Sequence, residues 1–158
     1  KREIVNFFGI HYIPTLQVNI SLFPVYFVFT QNIINYNLIL IGAVISILAV
    51  ILQIVADKQM RDFKLNISNK NKIMNLGLWK YSRHPNYLGE VMFWIGLYIM
   101  AISVSDVPNW LILSPLSMVV LFVFISCPMM DERSLKKRPG YKEYMDKTSQ
   151  LLILPSSR

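Results

Sequence analysis

The chain is 158 residues long, 54% hydrophobic and only 16% charged, with a formal net charge of +7. Soluble domains run about 45–50% apolar and about 25% charged, so the composition excludes an ordinary soluble globule and points to a membrane. Cys127 is the one cysteine, which excludes an internal disulfide, and the two histidines, His11 and His84, are far apart, so no metal site is expected.

The sequence begins at Lys1 without an initiator methionine. It therefore reads as a single membrane domain over 1–158, the C-terminal part of a longer protein. Its apolar start is interrupted by Pro14, Gln17 and Asn19, and no small-residue cleavage pattern follows, so it is not a signal peptide. Residues 13–30 form a first, interrupted span containing Pro14 and Pro24. The second span, YNLILIGAVISILAVILQIVA over 36–56, meets the roughly 20 apolar residues that a crossing requires.

The segment QIVADKQMRDFK, 53–64, continues that span as a helix. Gln53, Asp57, Arg61 and Lys64 fall on one face of it, and Asp57 with Arg61 has the spacing of a surface ion pair. The stretch YSRHPNYLGE, 81–90, stands at the threshold of a third span, 87–104. Pro85 starts the helix and leaves Arg83 and His84 on the incoming loop, with Asn86 near the N-cap and Tyr87 and Glu90 on one face of the first turn. An ionisable group one turn inside a span marks a functional site by default, which singles out Glu90. The plain alternative is that Arg83 and Tyr87 anchor at the headgroups while Glu90 snorkels.

A fourth span, 109–130, is uncharged throughout, with Pro115 and Pro128 placed to bend or end it. The charged segment 129–155 follows as a helix broken near Pro139 and Gly140, a second short helix with Tyr141 and Tyr144, and an apolar LLIL. Its plain reading is an interfacial amphipathic helix. The fold expected is all-α: a polytopic bundle of about four spans with a cytoplasmic C-terminal helical segment. With four spans all 16 basic residues fall on one side, while the opposite connections hold only Asp106. The positive-inside rule then puts both termini and the 57–86 loop in the cytoplasm, and it accounts for the net charge without nucleic acid. The membrane is the plasma membrane in a bacterium or the endoplasmic reticulum in a eukaryote.

GLWKYSRHPNYLGE, followed by a span and then DERSLKKRPGYKEYMDKT, resembles the C-terminal half of the steroid 5-alpha-reductase-like membrane proteins, and more closely their bacterial-type branch of unknown function. The resemblance covers about 40–155, and Asp57, Gln59 and Phe63 match a family pattern. The superfamily also holds isoprenylcysteine carboxyl methyltransferases and phospholipid methyltransferases. The resemblance implies NADPH held within the bundle by Gln53, Asp57, Arg61 and Lys64, and by Tyr81, Arg83, His84, Asn86 and Glu90 of the threshold. Asp131, Glu132, Arg133, Arg138, Tyr141 and Tyr144 of the tail would cover the cofactor, with Tyr87 and Glu90 as catalytic candidates.

His84-Pro85 is the methyltransferase-like spelling, and the reductases' late histidine cluster is missing. Three readings therefore stand. The first is an NADPH-dependent reductase of a carbon–carbon double bond in a lipid-like, enone-type substrate. The second is a membrane methyltransferase using S-adenosylmethionine, and the third is a non-catalytic membrane scaffold.

Overall fold

A computed structural model describes residues 13–155. Lys1, Arg2 and Arg158, which the topology argument uses, and His11, which the metal argument uses, lie outside the described residues. Every regular element among the described residues is helical: α1 (Ile13–Ser21), α2 (Phe23–Thr30), α3 (Tyr36–Leu65), α4 (Pro85–Ala101), α5 (Leu113–Val120), α6 (Cys127–Leu135) and α7 (Tyr141–Lys147). Two isolated β-bridges occur outside them. The chain divides into two compact units, one of residues up to Ser46 with Trp94–Val119, the other of Ile47–Phe93 with Val120 onward.

In the first unit the expected span 13–30 is not one helix. It breaks at Leu22, between α1 and α2. Pro24 explains the break, since it has no N–H to donate and its ring clashes with the carbonyl four residues back. The polar residues that interrupt the apolar pattern are used in packing. Gln17 Nε2 donates to the Ser117 carbonyl at 2.7 Å, and Ser114 Oγ donates to the Ser21 carbonyl at 2.9 Å. Gln17 and Ser21 are one turn apart on α1, so α1 and α5 are joined by a short polar seam. Asn35 caps α3, its Oδ1 accepting from the amides of Asn37 and Leu38 at 3.1 and 3.2 Å. Further along, α3 and α4 approach through Gly42 and Gly96. A Cβ built on Gly42 would stand 2.6 Å from the Gly96 carbonyl oxygen.

In the second unit α3 runs on without a break to Leu65, as the spacing of Gln53, Asp57, Arg61 and Lys64 predicts. Asp57 and Arg61 nevertheless form no ion pair among the described residues. Beyond Leu65, Asn66 caps a short 3-10 turn, Ile67–Asn69, its Oδ1 accepting from the Ser68 amide at 3.0 Å. Leu121–Ser126 is a π-helical turn between α5 and α6, closed by the Cys127 amide on the Phe122 carbonyl. Pro128 removes a donor just beyond it, and the widened turn absorbs the mismatch. Neither Pro115 nor Pro128 ends the helical run. Gly140, at φ +79°, turns the chain from α6 into α7.

Two helical runs are long and apolar enough to cross a membrane, Tyr36–Leu65 with 30 residues and Asn109–Leu135 with 27. Of their most apolar stretches only 17% and 28% is buried. The expected third span is shorter than the pattern implied. α4 covers 17 residues and ends at Ala101, where the chain turns to bring Ser103 O to the amides of Ile34 and Asn35.

Candidate cofactor site around Asp131

The threshold stretch is built from the backbone outward. Gln59 Oε1 accepts from the Leu78 amide at 3.0 Å, and Trp79 Nε1 donates to the Ala56 carbonyl at 3.0 Å. These two bonds fasten the turn Gly77–Lys80 against the extension of α3. Ser82 Oγ, fully buried, donates to the Leu151 carbonyl at 2.7 Å and accepts from the His84 amide at 3.2 Å. The Arg83 amide donates to the Ser149 carbonyl at 2.9 Å, and the Leu154 amide to the Tyr81 carbonyl at 3.3 Å. The tail beyond α7 is thus laid along YSRH and held there by backbone bonds.

Asp131 is the centre of the cluster, with its side chain 5% exposed. Its Oδ2 accepts from Arg83 Nε at 3.2 Å and Nη2 at 3.0 Å. Its Oδ1 accepts from Tyr141 Oη at 2.8 Å and meets His84 Nε2 at 3.0 Å. An ionised carboxylate only accepts, so His84 must carry its proton on Nε2. In neutral His84, Nδ1 is then the lone-pair nitrogen. Arg83 Nη1 donates in addition to the Met145 and Thr148 carbonyls, each at 2.8 Å. Those carbonyls lie at the C-terminal end of α7, where helix acceptors are left over and a cation is favoured.

Burial, and next the bond to Asp131, push the Tyr141 phenol above its ordinary range, and burial does the same to Tyr144. Both therefore remain donors at neutral pH. Tyr144 Oη donates to the Trp79 carbonyl. His84 stacks on Tyr87 with centroids 5.4 Å apart and planes 9° from parallel, and Tyr87 in turn meets Phe122 at 4.9 Å.

Beside this cluster lies a cavity of about 190 Å³ lined by Asp57, Lys64, Arg83, His84, Asn86, Tyr87, Arg138 and Tyr141, together with Met60, Trp79, Met130 and Ser134. Eight of the residues singled out from sequence therefore meet around one space, drawn from α3, the threshold, the turn after α6 and the start of α7. The others do not line it. Gln53 packs against Gly89, where a Cβ would stand 2.6 Å from Gln53 Cγ. Arg61, Tyr81 and Arg133 are exposed on the surface. Glu132 is exposed and pairs with Lys136, Tyr144 is taken up by Trp79, and Glu90 is half-buried within α4.

Arg83 and His84 line the cavity but are already engaged by Asp131, so their first duty is internal. Sequence reasoning missed Ser82, Trp79, Ser134 and Thr148 as parts of the assembly, and it missed that Asp131 is the common partner. The signals for Asp131 were its place at the head of DERS, directly after the apolar run, and the resemblance of the tail, neither of which pointed to Arg83, His84 and Tyr141 as its partners.

The cavity's charge is unbalanced. Asp131 neutralises Arg83, which leaves Lys64 and Arg138 facing the single carboxylate of Asp57. Arg138 Nη1 makes a 3.4 Å contact with Ser134 Oγ, and neither cation enters an ion pair among the described residues.

No solved structure matches the chain. It is similar to "Uncharacterized protein C594.04c" of Schizosaccharomyces pombe, at 33% identity over 90 residues, which is 56% of this chain and 26% of that protein. The chain thus matches about a quarter of the relative's length. The model of the family described as "Protein of unknown function (DUF1295)" matches residues 1–148, and the chain belongs to that family.

Proposed function

We propose that the chain is part of a polytopic membrane enzyme of the steroid 5-alpha-reductase-like kind, using NADPH to reduce a carbon–carbon double bond in a lipid-like substrate. In this reading it crosses the membrane four times, with both ends and the 57–86 loop in the cytoplasm. α3 supports membrane insertion. Leu40, Ile47 and Ile54 are 64%, 60% and 62% exposed along a helix with no charge before Asp57. In water a stripe of that size is costly; in lipid it is the ordinary outer surface.

The observation that carries the cofactor reading is the cavity of Asp57, Lys64, Asn86, Tyr87 and Arg138, with its surplus of positive charge. Lys64 and Arg138 suit phosphate oxygens, since a guanidinium offers a planar fork and an ammonium a point charge. Asp57 and Asn86 suit ribose hydroxyls or a carboxamide. S-adenosylmethionine carries a sulfonium cation, which a cationic cavity disfavours. At about 190 Å³ the cavity falls below the roughly 300–1,000 Å³ of whole-ligand sites, so it receives one part of a cofactor.

NADPH, when bound, supplies a hydride. The chain's own part is to hold the polar groups, exclude water and offer a donor to the developing negative charge on the substrate. Tyr87, fixed by its stack on His84, is the better placed of the two catalytic candidates, because it lines the cavity and Glu90 does not.

The test is binding of NADPH and of S-adenosylmethionine to the detergent-solubilised protein, read by NADPH fluorescence and by calorimetry. Arg138→Ala is expected to weaken NADPH about tenfold, the value of one charged hydrogen bond. Asn86→Ala should weaken it several-fold, and Arg61→Ala, outside the cavity, should leave it unchanged. Binding of S-adenosylmethionine in place of NADPH would move the protein to the methyltransferases, and binding of neither would favour a scaffold.

A further inference from the structure

A second cavity, of about 480 Å³, opens beside the first and shares Met60, Lys64 and Arg138 with it. Three more cations line it, Lys70, Lys72 and Lys137, together with the amides of Asn66, Asn69 and Asn71, and no carboxylate does. None of the five cations forms an ion pair among the described residues. Elsewhere in the same unit exposed lysines do find acids: Lys136 pairs with Glu132, Lys142 with Asp146 and Lys147 with Glu143. Lys58, Arg61, Lys80 and Arg133, exposed elsewhere in the unit, form no ion pair among the described residues either, so what sets the cavity apart is that five unpaired cations gather around one space. The loop carrying Lys70 and Lys72 is also held in place. Asn69 Nδ2 donates to the Phe63 carbonyl at 3.0 Å, and Asn71 turns the chain at φ +64°.

We infer that this second cavity binds the phosphate or diphosphate group of a water-borne ligand. Five like charges around one space repel one another, and an anion of charge two or more offsets that repulsion while the asparagine amides supply neutral donors. Depth selects the source. Lys64 lies eight residues beyond Ala56, about 12 Å along the helix axis. The headgroup layer on each side of a bilayer is only about 5–8 Å thick. Met60, on the same lining, lies only four residues beyond Ala56, about 6 Å, so a lipid phosphate reaches at most the near edge of the cavity, whereas Lys64 faces a soluble one. The inference rests on the membrane placement of α3 but not on the identity of the cofactor, and a failure of NADPH to bind leaves it standing.

The experiment is calorimetric titration of the detergent-solubilised protein with inorganic pyrophosphate, with three variants beside it. Lys70→Ala/Lys72→Ala is expected to lower affinity at least tenfold. Lys136→Ala/Lys142→Ala removes the same charge from ion-paired surface positions and should change it less than twofold. Asn86→Ala, in the first cavity only, should also leave pyrophosphate binding unchanged. Equal losses in the two double variants would reduce the effect to net charge and overturn the inference, as would an Asn86→Ala loss matching that of Lys70→Ala/Lys72→Ala. Absence of pyrophosphate binding would overturn it too. A final arm replaces pyrophosphate with phosphatidylglycerol vesicles, phosphatidylcholine vesicles serving as the blank. Dependence on Lys70 and Lys72 there, and not with pyrophosphate, would assign the site to lipid and refute a water-borne ligand.

Discussion

Asp131→Asn removes a charge and almost no volume, so it isolates what the carboxylate does. The native side chain receives two contacts from the Arg83 guanidinium on Oδ2, and meets Tyr141 and His84 on Oδ1. An amide has one oxygen. Turned toward Arg83, it places its NH₂ against the Tyr141 hydroxyl and His84 Nε2; turned the other way, it places that NH₂ against a guanidinium. Either orientation breaks an ion pair whose side chains are 11% and 5% exposed. Removing one partner of a buried pair costs about 3–5 kcal/mol. At about 2–4 °C per kcal/mol for a chain of this size, the thermal midpoint should fall by about 6–20 °C.

The assay is thermal unfolding in detergent followed by tryptophan fluorescence, for which Trp79, bonded to the Ala56 carbonyl in the same unit, is a local reporter. Arg83→Ala completes the cycle. Once Asp131 is neutral, losing Arg83 should cost less than it does in the native chain, with a coupling energy on the order of 1–3 kcal/mol. A midpoint shift below about 3 °C for Asp131→Asn, or additive single variants, would refute Asp131 as the hub that holds the tail.

Two further perturbations follow from the same contacts and from the helix seam. The raised Tyr141 phenol links stability to alkaline pH: an unfolded tyrosine titrates near its ordinary 10.0, whereas the folded one keeps its proton longer. The unfolded state therefore binds fewer protons above that pH, and the stabilisation, complete below it, is lost as pH rises. Tyr141→Phe should lower the midpoint at pH 7 by the equivalent of about 1.5–3 kcal/mol and flatten its decline above pH 10.0; an unaltered alkaline slope in pH-dependent melts would count against it. Gly42→Ala sets a methyl 2.6 Å from the Gly96 carbonyl oxygen, an overpacking cost of about 1–3 kcal/mol. Val44→Ala, at a 46% exposed position of the same helix, should cost less, and equal melting shifts for the two would dismiss the close approach.

Periodicity carried what is local to one helix. The extension of α3 past Ala56 was legible because Gln53, Asp57, Arg61 and Lys64 keep a helical spacing after the apolar residues stop. The break near Pro139 and Gly140 was legible from turn chemistry. The division at Leu22 was not, although Pro24 was visible, because a proline in a first turn is compatible with a helix start as well as a kink. The seam of Gln17 and Ser21 with Ser114 and Ser117 was hidden for another reason. Its partners are about a hundred positions apart in sequence, and half of them are backbone carbonyls, whose presence no residue identity announces. Arg83 shows the same limit: two of its acceptors are the carbonyls of Met145 and Thr148.

That limit changes how the polar threshold is to be weighed. A dense run such as YSRHPNYLGE invites a ligand reading because many donors and acceptors crowd one helix entrance. In the fold, Ser82, Arg83 and His84 spend their polar atoms on Leu151, Ser149, Asp131 and the end of α7, and no described buried side-chain nitrogen or oxygen is left without a partner. Those three residues would be needed to dock the tail even in a protein that bound nothing. The case for a ligand rests instead on groups that border open space, the cations among them without an ion-pair partner among the described residues: Asn86 beside the threshold, Lys64 and Arg138 across from it, and Lys70, Lys72 and Lys137 around the neighbouring cavity. A clamp needs its charges paired. Charges left unpaired around a cavity are the arrangement that a bound anion would complete.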